Sequence, residues 1–336
     1  MFLDAAERLL QFLTEKFATL FLGLGSSFSA ASLFSALCIT VAFLVLRRRP
    51  EKRQVKYRVM GRALFPRWLR HPSFRADVGF LLLNVLLSAM LVGWAIVSSR
   101  AISHVVSGGL TDMLGVFPAT GLNELASKSI ATAFMFLAYE LGYWVDHYLS
   151  HRIPLLWDFH KVHHTAEVLS PLTNFRVHPV DSLVFGNILG LSLGITGGAL
   201  TYLQFGSPFE VGGTNLILVA FLFITVHLQH SHVWMATTGL LGRVVLSPAH
   251  HQIHHSDNPR HHNKNFGSCL SIWDWMFGTL HVPARTRERL NFGVTTRAGE
   301  HHTAVGSLVL PFVQAARRLR PRPSRVRRVL EADPAA

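Results

Sequence analysis

The stretch HYLSHRIPLLWDFHKVHH, residues 147 to 164, carries five histidines in eighteen positions. His147 and His151 are four apart, and His160, His163 and His164 follow an i, i+3, i+4 pattern. His251, His254 and His255 repeat that triplet inside HHQIHH. On a helix, residues three and four apart share a face, so the spacing predicts three stripes holding eight imidazoles. A neutral imidazole is a good ligand for borderline divalent ions, and a metal needs several aimed at one point. One ion uses three or four ligands, so eight or nine suit two ions. Fifteen of the twenty histidines lie between 147 and 262, where an even spread would put about seven. The zinc-protease HExxH, with its glutamate base between two ligands, is absent. No cysteine ligand accompanies the histidines, which argues against a zinc knuckle, and axial haem ligation needs fewer of them. A redox-capable pair of ions with open positions, seated beside lipid, suits activation of dioxygen against C–H bonds.

The elements that must position these rings are strongly apolar. Of 336 residues, 49% are hydrophobic and only 15% charged, too little charge for a soluble surface at this length. Residues 17–46, 78–99, 182–209 and 211–242 contain no Asp, Glu, Lys or Arg, and 129–145 contains only Glu140. About 20 such residues suffice to cross a bilayer, so five transmembrane helices are expected. Eleven Lys or Arg residues lie between Arg47 and Arg75, and fourteen from Gly242 onward. Segments 1–16, 100–128 and 204–211 hold only Arg8, Lys16, Arg100 and Lys128. Basic loops stay cytoplasmic. The expected topology therefore has its amino terminus outside, its carboxyl terminus inside, and the histidine motifs at the cytoplasmic face of a multi-pass membrane protein.

This topology also accounts for the net charge of +13. The tail RRLRPRPSRVRR is expected to touch anionic lipid headgroups. No nucleic-acid module accompanies it, so nucleic acid is not an expected partner. The start, MFLDAAERLLQFLTEKF, lacks a basic signal-peptide region and reads as an interfacial helix. Cys38 and Cys269 make no disulfide framework. GLGSS at 23–27 follows no strand and is not a phosphate loop.

The pattern H-x3-H, H-x2-H-H, H-x2-H-H, with WDFHKVHHTAE, FRVHPVD, LSPAHHQIHHS and NFGSCLSIWDWMFGT around it, resembles the fatty acid hydroxylase/sterol desaturase superfamily. The resemblance covers about 126–283. It divides the chain into a membrane region, 1–125, a catalytic domain, 126–283, and a basic cytoplasmic tail, 284–336. It implies an all-α integral membrane protein of about five transmembrane helices with a cytosolic histidine-rich helical cap. It also implies two iron ions, O2 as co-substrate and a membrane lipid as substrate. No electron-transfer domain is recognisable in the chain, so a separate reductase or electron-carrier protein is expected.

Carried over by position, His147, His151, His160, His163, His164, His251, His254 and His255 look like iron ligands, with His230 of LQHSHVW as the ninth. His227 and His232 are weaker candidates. His178 in FRVHPVD matches a recurrent position and leans towards supporting the ligands rather than joining them. His250 is out of phase with its stripe. His261 and His262 fall in a polar loop, and His301 and His302 lie outside the resemblance. Tyr148 stands where many members carry Arg. Two divalent ions beside a low-dielectric medium require nearby carboxylates. Glu140, Asp146, Asp158, Asp181 and Asp274 are the candidates to accept imidazole N–H bonds. Glu140 also interrupts an apolar span, which needs a reason. The reaction implied is hydroxylation of a lipid C–H bond. Desaturation and ether oxygenation at the same site stay open, and a histidine-rich metal transporter or sensor is the rival from another class.

Overall fold

In the computed structural model, residues 2–26, 28–46, 67–84, 96–294 and 303–320 are described, and they are mostly helical. Helix α1 (Phe2–Leu22) and helix α2 (Ala30–Leu46) divide the first uncharged block. The break falls at the small residues Gly23 and Gly25: a side chain on Gly25 would sit 2.2 Å from the Val211 carbonyl oxygen. The 17-residue α2 is thus shorter than the crossing expected from 17–46. Helix α3 (Pro72–Leu83) opens the second block, half of which, 85–95, lies outside the described residues.

Helix α4 (Ser99–Leu114) occupies a stretch that sequence reasoning left as a connecting segment. It is followed by α5 (Glu124–Arg152), which is capped by the Asn123 side chain on the Ala126 N–H at 2.8 Å. Ile153 takes an extended conformation because Pro154 follows it. Pro154 then opens α6 (Pro154–His164) at a position where its missing N–H is harmless. This one-residue joint folds α6 back on α5 and brings two histidine stripes face to face.

Helix α7 (Pro179–Tyr202) runs antiparallel to α5, with Ser192 Oγ donating to the Ala138 carbonyl at 2.7 Å. Gly186, Gly190, Gly194 and Gly198 make a smooth ridge along α7 on which α4 lies. A Cβ at Gly194 would meet Ile102 Cβ at 2.6 Å, and one at Gly198 would meet Val106 Cβ at 2.6 Å. Among the described residues, α7 is the one helix long and apolar enough to cross a membrane by length and composition.

A two-residue hairpin, Glu210–Val211 with Thr214–Asn215, turns through Gly212 and Gly213 at positive φ. It leads into α8 (Leu216–Gln229), which contains a π turn at Leu222–Val226. Helical structure stops at His230, so the uncharged block 211–242 is part hairpin, part helix and part loop. Lack of charge did not report the glycine turn or the loop from His230 to Gly239. The short α9 (Leu241–Val244) and α10 (Pro248–His254) follow, then α11 (Ile272–Met276) and α12 (Ala304–Leu319). Helix α12 packs against α6.

Candidate metal centre

Helices α5, α6 and α10 and the end of α8 deliver nine histidines to one buried region. The ring nitrogens form two groups, each with its members within 4.8 Å of one another: His147, His151, His160, His164 and His254, then His163, His230, His251 and His255. Within the second group His230 Nε2 lies 3.2 Å from His163 Nε2, 3.1 Å from His255 Nε2 and 2.9 Å from His251 Nε2. In the first, His151 Nε2 and His164 Nε2 are 3.1 Å apart. Two nitrogens bound at right angles to one ion, each at about 2.1 Å, stand roughly 3.0 Å apart. The spacing of the rings therefore fits a metal between them.

Outer ring nitrogens set the direction of the inner ones. His147 Nδ1 donates to the Phe266 carbonyl and His254 Nδ1 to the Lys264 carbonyl, both at 2.8 Å. His160 Nδ1 donates to the Asp181 carboxylate at 3.2 Å. With the proton on Nδ1, the lone pair of Nε2 points inward, and Nε2 of His147, His160 and His254 is buried without a hydrogen-bond partner. Burial, then neighbouring histidines, holds His163, His164, His251 and His255 well below the usual imidazole range, and burial brings His254 to about 3. These rings stay neutral, as ligands must. Burial also acts on His160, but the charge and hydrogen bond of Asp181 outweigh it and raise that ring.

The loop that presents the two carbonyls is fixed by Asn265 at φ 59°, whose fully buried side chain accepts from the His281 N–H at 2.7 Å and donates to the His250 carbonyl at 3.0 Å. His230 reaches the cage from the end of α8, four residues past the π turn, which shifts the register of the helix.

Of the five carboxylates expected to accept imidazole N–H bonds, Asp181 does so. Glu140 is fully buried but serves the backbone: its Oε2 accepts from the Cys269 N–H at 3.0 Å and the Leu270 N–H at 2.8 Å. Asp274 accepts from the Phe266 and Gly267 N–H groups, the Thr279 hydroxyl and Trp144 Nε1. Asp158 pairs with Lys161 at 2.6 Å and with Arg318 of α12. Asp146 borders a cavity between α5, α7 and α8, and its buried Oδ1 has no hydrogen-bond donor. Glu140 and Asp274 thus hold the backbone of the loop beside the rings, and Asp158 ties α6 to α12.

His178 does not join the cage. Its Nδ1 accepts from the Val180 N–H at 3.1 Å, capping α7, and its Nε2 donates to the Leu308 carbonyl of α12 at 3.1 Å. His227 Nε2 lies 2.9 Å from Ser32 Oγ of α2. His250 caps α10, accepting from the Ser247 N–H and donating to the Gly242 carbonyl. His261 stands 3.7 Å from Glu288, and His262 is exposed. His232 belongs to neither group, and His301 and His302 lie outside the described residues. Tyr148 stacks on Trp144 at 5.0 Å between ring centres.

Sequence reasoning missed a buried pair beneath the site. Arg176 Nε donates to Asp77 Oδ1 at 2.6 Å, both side chains fully buried, and Arg176 also donates to Thr165 Oγ1 at 3.1 Å. This ties α3 to the ends of α6 and the FRVHPVD turn. Nor did it single out the residues that wall the cavity. About 330 Å³ opens between α5, α7 and α8, walled by Tyr143, Phe185, Leu218 and Leu222, and floored by His147, His160, His163 and His230. The visible signal was the series Tyr139, Tyr143, His147, His151, one stripe at four-residue spacing. A second, more polar cavity of about 380 Å³ borders His151, His164, His254 and His255, beside Trp157 and Asp257.

Residues 132–279, the segment holding all nine rings, match the fatty acid hydroxylase family. This part of the chain belongs to the fatty acid hydroxylase/sterol desaturase superfamily. Among curated relatives, the ornithine lipid hydroxylase OlsE of Rhizobium tropici is 30% identical over 53% of this chain and 49% of its own length. The alkylglycerol monooxygenase of Danio rerio is 28% identical over 49% of this chain and 33% of its own. Human cholesterol 25-hydroxylase is 30% identical over 45% of this chain and 53% of its own. The chain thus spans about half, or less, of the length of these hydroxylase and monooxygenase relatives. No solved structure matches it.

Proposed function

We propose that this chain is a multi-pass membrane oxygenase that uses two iron ions and O2 to hydroxylate a C–H bond of a lipid. The observation that carries the reading is the floor of the 330 Å³ cavity, where His147 and His160 of one nitrogen group and His163 and His230 of the other border the same apolar space. Superfamily relatives that oxidise ornithine lipid, alkylglycerol and cholesterol support an oxidoreductase acting on lipid. The five-nitrogen group would hold one ion and the four-nitrogen group the other. When bound, the ions supply O2 reduction and C–H oxidation.

The chain's own residues do the rest. Tyr143, Phe185, Leu218 and Leu222 hold the apolar chain of the lipid against the histidine floor and exclude water. Asp181 keeps the proton on His160 Nδ1, so that Nε2 stays a donor of its lone pair. Exposed Phe34, Phe134, Ile195 and Ile224 on α2, α5, α7 and α8 support a lipid-facing surface around the cavity. In this reading 1–125 is the membrane region, 126–283 the catalytic domain facing the cytoplasm, and 284–336 the basic tail against anionic headgroups. A separate reductase delivers electrons from the cytoplasmic side.

Resemblance to alkylglycerol monooxygenases favours one variant, attack beside an ether oxygen. The test is metal analysis of purified protein followed by mass spectrometry of lipid products under 18O2 with a chemical reductant. Two irons per chain and one 18O in the product are expected, with aldehyde release marking the ether variant. A product lighter by two hydrogens would replace hydroxylation with desaturation. Protein that holds iron yet consumes no O2 with any lipid extract would overturn the oxygenase reading.

A further inference from the structure

Asp146 is the carboxylate that the cage leaves without a task. It is 4% exposed, directly precedes His147 on α5, and its Oδ1 is buried with no hydrogen-bond partner. It belongs to neither nitrogen group. Its neighbour Asp181 is already engaged by His160 through both carboxylate oxygens. Both carboxylates border the 330 Å³ cavity, and no Lys or Arg lines it. The amides in the same wall are turned elsewhere: Asn174 donates to the Pro171 carbonyl at 3.1 Å and Gln229 to the Ser268 carbonyl at 2.6 Å. A buried carboxylate without a donor is costly. Asp146 itself borders the cavity, so a lipid seated there can bring the donor.

We propose that Asp146 accepts a hydrogen bond from the lipid itself, from a hydroxyl, amide N–H or ammonium group near the carbon presented to the histidines. Asp146 thereby sets which lipids enter and which carbon stops over the cage. The inference rests on the cavity being the lipid site of the proposed oxygenase, and it narrows the substrate to lipids that carry a hydrogen-bond donor near the oxidised carbon.

The test uses the full-length, iron-loaded protein without reductant, so that binding is read apart from turnover. Bound tritiated 1-hexadecanol is displaced by unlabelled 1-hexadecanol, hexadecylamine or hexadecane, and iron content is measured alongside. Wild type should prefer the alcohol and the amine over hexadecane by about tenfold, the scale of one hydrogen bond. Asp146→Leu should erase that preference, and Asp146→Asn should keep the alcohol and lose the advantage of the amine. Iron content should be unchanged in Asp146→Asn. Should Asp146→Leu fail to fold, the wild-type ranking and the isosteric Asn variant decide. A wild type that ranks hexadecane level with the alcohol overturns the proposal, as would be so if water alone satisfied Asp146. So does an unchanged ranking in Asp146→Leu, or loss of iron in Asp146→Asn, which would assign the carboxylate to the metal. A protein with the expected ranking but no oxygenase activity would sink the hydroxylase reading and leave this one standing.

Discussion

His160 differs from the other rings of the cage in what holds its outer nitrogen. His147 and His254 lean on backbone carbonyls, which no side-chain substitution removes, whereas His160 leans on Asp181. Removing an outer partner of a ligating histidine weakens metal binding by about 10- to 100-fold. Asp181→Ala should therefore lower iron affinity on that scale, read by competition with a chelator. Glu140 predicts the opposite pattern. Its Oε2 holds two backbone N–H groups and no imidazole, so Glu140→Gln, whose amide oxygen can still accept both, should retain iron. Glu140→Ala leaves those donors bare at about 1–3 kcal/mol each, and its thermal midpoint should fall. Iron loss in Glu140→Gln with an unchanged midpoint would contradict this division. Eight of the nine histidines were legible because i, i+3 and i, i+4 spacing depends only on helix geometry, and His230 was reached only through the family resemblance. The partner of Glu140 was not, because it lies 129 residues away in a loop whose path depends on Asn265.

At the scale of elements, the joint at Ile153–Pro154 and the turn beneath the site decide whether the stripes meet. The joint could be read from Pro154, which ends one helix and starts the next. The π turn of α8 could not, since Leu222–Val226 is a plain apolar run. Helix α4 escaped notice too, although its dock was written as glycines at 186, 190, 194 and 198; the eye on charge-free blocks sees length, not the relief of a helix surface. The Asp77–Arg176 pair is the other unread joint, because its halves lie 99 residues apart. Breaking one side of a buried pair strands the remaining charge and costs about 3–5 kcal/mol. Arg176→Met should thus destabilise the protein by that order and loosen α3 from the histidine turn, seen as faster amide exchange over residues 72–83 and 165–176. Replacing both partners, Asp77→Leu with Arg176→Met, should recover part of the loss. A single variant as stable as wild type would mean the pair carries no structural role.

For the molecule as a whole, the cage is where separate parts of the chain are forced together, so its charge state governs assembly. Rings from α6 and α10 and from the end of α8 face one another within a few ångströms. In metal-free protein, burial and mutual repulsion hold His163, His164, His251, His254 and His255 below the unfolded value of about 6.5. The unfolded chain therefore binds more protons than the folded one as pH falls below about 6.5, and stability is lost in that direction. Each such ring contributes a slope of about 1.4 kcal/mol per pH unit. His160, raised by Asp181, has the opposite sign: its contribution is present below about 6.5 and fades as pH rises through its folded value. One ring of that kind cannot offset five of the other. The thermal midpoint of chelator-treated protein should be level from pH 8 to about pH 7 and drop steeply towards pH 5. Iron-loaded protein should resist until protons displace the metal, because ligated imidazoles cannot take them up. Calorimetry of both forms across that range checks the sign, and a metal-free midpoint that rises towards pH 5 would mean the rings do not share one buried space.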